Sequence, residues 1–92
     1  MRIDFMPHTE SYDDTRDMVR FMGWDGDRWV RCGVRRDALL NAARVLEASG
    51  MDLVNLYRRH KNPIHALASA KFRAGRLEED GLVLVSSADL NS

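Results

Sequence analysis

Ninety-two residues, 45% hydrophobic and 30% charged, make one small soluble domain and leave no room for a second. No apolar run approaches the roughly 20 residues of a membrane span, the charged N-terminus lacks a signal peptide's apolar core, and the single Cys32 excludes an internal disulfide or a Cys-rich zinc site, so a cytoplasmic protein is expected. The zero formal charge is unevenly spread: residues 1–27 hold three arginines against seven acids, residues 28–76 eleven Lys/Arg against three acids, and residues 77–92 four acids alone.

Along the chain, residues 2–6 alternate and predict a short strand with Ile3 and Phe5 inward, stopped by Pro7, which cannot donate to a ladder. Residues 8–15 have turn formers and no apolar period, so they predict a connecting loop anchored by Tyr12. Residues 16–34 then read as a β-hairpin, because two alternating runs meet at Asp25-Gly26. A two-residue loop pairs Trp24 with Asp27, Met22 with Trp29, Phe21 with Val30, Arg20 with Arg31 and Val19 with Cys32. One face carries Val19, Phe21, Val30, Cys32 and Val34 and belongs to the core. The other carries Met18, Arg20, Met22, Trp24, Trp29 and Arg31, a mixture foreign to an ordinary core.

After Val34 the period changes. Leu39, Ala42, Ala43 and Leu46 predict a helix over residues 36–48, with Ser49-Gly50 as its stop. Asp52 reads as the cap of a second helix, with Met51 and Leu56 at hydrophobic-staple positions. Leu53, Leu56, Tyr57, His60, Ile64, Leu67, Ala68 and Phe72 hold one helical face to Ala74, and Gly75 ends the run. Pro63 interrupts it. Either Asn62 caps a separate helix that begins at Pro63, or one helix is kinked there; the unbroken apolar phase favours the kink. A turn at residues 78–81 leads to a strand at 82–85 that is apolar on both faces, which suggests an interior place in the sheet. Residues 88–90 form a short tail with Leu90 against the body. The expected fold is α+β: a two-layer, mainly antiparallel sheet in the order β-β-β-α-α-β, with two helices on one face.

Three stretches, SYDDTRDMVRFMGWDG, IHALASAKFRAG with the DG-strand after it, and the closing SADL, resemble a family of short bacterial proteins catalogued as domain of unknown function 1488. The resemblance spans nearly the whole chain and implies a single α+β domain of the bacterial cytoplasm. It brings no activity, ligand or catalytic residue with it. Pro63, in what relatives keep as uninterrupted helix, and Arg35-Arg36, where a better cap is usual, depart from the pattern.

Chemistry finds little to work with. Cys32 faces inward, where a structural thiol is expected and a nucleophile is not. His60 and His65 are five apart, off the three- or four-residue spacing of a helical zinc pair, and His60 lies on the apolar stripe as a packed histidine. No Gly-rich phosphate loop is present, so no enzyme, cofactor or metal is expected. A basic patch of Arg58, Arg59 and Lys61 on the second helix suggests phosphate binding, as in a nucleic-acid-associated protein, although a basic stripe on an amphipathic helix is more often just its solvated face. The stronger lead is the hairpin's second face. Trp24 and Trp29 lie diagonally beside Met22, with Arg20 opposite Arg31, the residue types of interface cores. Arg20, Met22, Trp24, Trp29 and Arg31 therefore form the candidate interaction surface, for a protein partner or a homodimer.

Overall fold

In the computed structural model, which describes residues 3–90, five strands and four helices follow in the order β1 (Asp4–Phe5), β2 (Ser11–Asp13), β3 (Met18–Trp24), β4 (Trp29–Arg35), α1 (Arg36–Ala43), α2 (Gly50–Arg59), α3 (Lys61–Arg73), β5 (Val83–Val85) and α4 (Ser87–Leu90). The fold is α+β and the sheet mainly antiparallel, as expected. The expected start of the first strand at Arg2 lies outside the described residues.

β3 is the spine of the sheet. One of its edges pairs with β4 along seven residues. Its other edge is shared: β1 takes the Trp24 end and β2 the Met18 end. Residues 11–13, expected as loop, are a strand because β3 offers them unpaired backbone groups, not because Ser-Tyr-Asp favours extension. β5 adds parallel to the far side of β4, so it is an edge strand and not the interior one that its two-sided apolarity suggested.

The hairpin register also differs from expectation. Trp24 pairs with Trp29, so the loop has four residues, 25–28, rather than two. The Asp25 carboxylate makes it, accepting from the N–H of Asp27 (2.7 Å) and of Arg28 (2.8 Å), while the Asp25 N–H reaches the Arg28 carbonyl (3.2 Å). Gly26 supplies the positive φ of 106° that this loop requires. The resulting shift is two residues, one full side-chain period, so every residue keeps its expected face and only the opposite partners change. Phe21 faces Cys32, Met22 faces Arg31, and Arg20 faces Gly33. The expected opposition of Arg20 and Arg31 is absent.

The inner face, with Val19, Phe21, Val30, Cys32, Val34, Val83 and Val85, packs under Leu39 of α1, Leu53 and Tyr57 of α2, and Ile64 and Ala68 of α3. Helix boundaries depart from the sequence reading in three places. α1 stops at Ala43, five residues short of the expected end, because Arg44 turns left-handed (φ 58°) and its N–H and that of Val45 close back on Asn41 and Leu40. Leu46, placed on the apolar stripe by its spacing, is consequently 98% exposed. Gly50, read as a stop, instead opens α2. The cap is Ser49, whose Oγ accepts from the Asp52 N–H, so Asp52 is the capped position and not the cap. Gly50 is the residue that fits there, since an added Cβ would stand 2.7 Å from the Tyr12 ring. Finally, the long helical run divides at His60 (φ −109°, ψ 18°) into α2 and α3, and Pro63 sits in the first turn of α3. The structure has neither the favoured continuous kinked helix nor a cap at Asn62.

At the end of the chain Lys71 of α3 donates to the Leu84 carbonyl (2.8 Å) and pairs with Asp89 (2.7 Å), which ties β5 and α4 to the helix layer and brings Leu90 against the core.

Candidate functional site

The outer sheet face is half closed and half open. Toward the β2 end, Met18 folds its thioether over Gly33, where an added Cβ would lie 2.7 Å from the sulfur, and is 2% exposed. Leu82 is equally hidden. The turn at residues 78–81, closed by the Gly81 N–H on the Glu78 carbonyl (2.9 Å), is strapped to the sheet by two arginines: Arg16 pairs with the Asp80 carboxylate (2.8 Å) and Arg31 donates to the Asp80 carbonyl. Arg20 lies near Asp13 (3.7 Å). A later element therefore does reach this face, and Arg20 and Arg31 have acidic or carbonyl partners within the chain.

The hairpin tip is the open half. Trp24 and Trp29 meet edge-on with ring centroids 5.0 Å apart. Trp24 and Met22 are half-buried, whereas Trp29 is 55% exposed. Beside it, a shallow groove runs to Leu77, itself 41% exposed, between Arg28 and Arg31. Leu77 comes from the connection after α3 and was no part of the expected surface.

A second concavity, of about 340 Å³, lies where the chain leaves β1 and passes over the α2–α3 joint. Its floor is aromatic: Phe5 stacks on His65 at 4.0 Å between centroids and 13° between planes, and the Tyr57 hydroxyl lies 2.6 Å from His65 Nε2. Burial, with Lys61 nearby, drives the His65 imidazole down to about 4, so the ring is neutral at physiological pH. Burial likewise pushes the Tyr57 phenol up. At the mouth Arg58 pairs with Glu10 (2.7 Å), and that bond holds the Glu10 carboxyl below its ordinary range. The structure thus separates the three members of the basic patch. Arg58 is engaged by Glu10, Lys61 lines the cleft, and Arg59 is exposed away from both. The packed, hydrogen-bonded histidine is His65 and not His60, which occupies the helix break.

The family model for Protein of unknown function (DUF1488) matches residues 3–85. The chain belongs to that family. A solved family member, a protein of unknown function from Shewanella loihica PV-4, has the same fold with a TM-score of 0.84 over 92% of this chain and 94% of its own, at 15% sequence identity. A search of curated proteins finds no match. The DUF1488 fold therefore accommodates wide sequence divergence.

In this DUF1488 chain, Cys32 is buried with its thiol pushed up to about 12 by desolvation, which leaves it inert as a nucleophile. Among the described residues no three His, Cys, Asp or Glu side chains gather to hold a metal ion, and no helix is long and apolar enough to cross a membrane. The cleft was not legible in the sequence. Phe5, Glu10, Tyr57 and His65 come from four segments, and only the eight-residue spacing of Tyr57 and His65 hints that two of them share a helical face.

Proposed function

We propose that this chain is a non-catalytic interaction module that associates with a second copy of itself through the hairpin tip. The observation that carries this reading is the exposure of Trp29 beside Leu77, on a sheet face where Met18 and Leu82 are buried and Met22 and Trp24 half-buried. A tryptophan more than half in water, next to an exposed leucine and rimmed by arginine, has the composition of an interface centre. Charge supports a second copy as the occupant. Arg28 stands on one side of the groove, and Glu78 and Glu79 follow Leu77 on the other, all exposed. A two-fold contact uses one patch twice and sets each cation of one protomer near the other's acids.

Light scattering across a concentration series tests it. The wild-type mass should rise toward a dimer, and Trp29→Glu should remain monomeric with an unchanged circular dichroism spectrum. A wild-type protein that stays monomeric at millimolar concentration, or a Trp29→Glu variant that still associates, removes the proposal. The nucleic-acid reading is weaker, since Arg58 of the patch is committed to Glu10 and two exposed cations supply little counterion release.

A further inference from the structure

The cleft over the α2–α3 joint is lined by cationic and N–H donors, and its acceptors Glu10 and His65 Nε2 are already engaged. Tyr57 is 4% exposed, so its phenol proton needs an acceptor inside the protein, and His65 Nε2 at 2.6 Å is the one within reach among the described residues. A neutral ring that accepts at Nε2 carries its proton on Nδ1. Nδ1 has no partner among the described residues, and no buried side-chain polar atom there lacks one, so this N–H is accessible to solvent on a residue that lines the cleft. Lys61, one helical turn before His65, lines the same cleft with no ion pair among the described residues. Among the described residues the one acid lining it, Glu10, is matched by Arg58. Opposite these donors Phe5, Met6 and Pro7 give an apolar stretch of wall, with His8 following them on the same segment. At about 340 Å³ the space falls near the lower end of small-molecule sites, which run from roughly 300 to 1,000 Å³.

We propose that this cleft binds a small organic carboxylate, with the carboxylate between Lys61 Nζ and the Nδ1–H of His65 and the apolar body against Phe5, Met6 and Pro7. Tyr57 is a positioning residue, since its hydroxyl fixes the tautomer that turns the donor outward. The site shares no residue with the Trp29 groove, so it stands or falls independently of self-association.

Benzoate is the probe, titrated into the wild-type protein and followed by amide and imidazole NMR signals. Saturable shifts should centre on Phe5, Lys61 and His65. The groups facing the His65 ring are Lys61 and Tyr57 from the helices, Glu10 from the β1–β2 connection, and Phe5 and Phe21 from the sheet. A bound anion joins this set as a new negative charge, so the His65 pKa should rise with benzoate. Lys61→Gln, an exposed change at the start of α3, should weaken binding about tenfold, the size of one charge-assisted hydrogen bond, with its amide spectrum otherwise intact. Tyr57→Phe should weaken it as well while the fold persists. Benzamide, isosteric but neutral, should give no saturable shift. The proposal is overturned if benzoate gives no saturable shift, if benzamide binds as well, if Lys61→Gln binds unchanged, or if inorganic phosphate binds as tightly, which would make the apolar wall irrelevant.

Discussion

Arg44 occupies a left-handed backbone position (φ 58°, ψ 42°) that ends α1 and is more commonly filled by glycine. An L side chain there costs about 1–2 kcal/mol, partly offset by the greater freedom of glycine in the unfolded chain. Arg44→Gly should therefore raise stability by about 0.5–1 kcal/mol in urea melts without altering the spectrum of the fold. His65 gives the residue scale its pH dependence. Its folded pKa of about 4 lies below the ordinary 6.5, so between those values the unfolded chain binds a proton that the folded chain refuses. The contribution is complete above the higher value and is lost as pH falls toward the lower one. Discounted for the ring's partial exposure, the loss should be about 1–2 kcal/mol. Denaturation at neutral pH and at about pH 5 should differ in wild type and differ less in His65→Gln, which keeps an acceptor for Tyr57. The carboxyl of Glu10, held low by Arg58, adds a loss of the same sign only in stronger acid.

At the scale of the element, the instructive case is the division of the long helical run. A continuous helix would need the Pro63 N–H for the Arg59 carbonyl and would force the pyrrolidine ring against it. The chain avoids both by breaking one turn earlier. The His60 N–H closes α2 on Leu56 (3.0 Å) and Tyr57 (3.2 Å), and Pro63 falls in the first turn of α3, where an amide would be free in any case. Pro63→Ala should then lower stability by about 0.4–1 kcal/mol, because proline pre-organises that turn. A stability gain would show instead that proline strains one continuous helix. The apolar phase nonetheless runs through the break, with Leu53, Tyr57, Ile64 and Ala68 all in one core. Phase alone could not reveal the division, since a one-residue interruption leaves it nearly intact.

For the whole molecule, what matters is how unequally the two sheet faces are covered. Phe21 is 1% exposed beneath the helices, with its ring 4.8 Å from Tyr57. Phe21→Ala should cost about 3–5 kcal/mol. Trp29→Ala, measured at concentrations too low for association, should cost about 1 kcal/mol, mainly its edge-on contact with Trp24. The reverse order in denaturant melts would mean that the inner and outer faces are exchanged. The outer face is also unevenly covered: Met18, folded over Gly33, and Leu82 are hidden, whereas Trp29 stays 55% exposed in a groove that Leu77 and Gly81 also line. On the proposed reading, that unevenness makes the tip, and not the face as a whole, the surface for a partner.

Alternation and periodicity in the sequence determined which side of each element faces the core, because those properties are local and have fixed periods of two and 3.6. Val19, Phe21, Val30, Cys32 and Val34 stayed inward even though the hairpin register moved, since the shift equalled one whole period. Tertiary structure alone decided the partners. Ser11–Asp13 became a strand because β3 had an open edge, and β5 became an edge strand by pairing parallel to the far side of β4. Leu46 lost its expected place in the core when α1 ended at a left-handed arginine. The cleft assembled from residues up to 60 positions apart, such as Phe5 and His65. Such meetings depend on where loops close and which surfaces remain uncovered, and neither quantity is written in the spacing of residues along a single element.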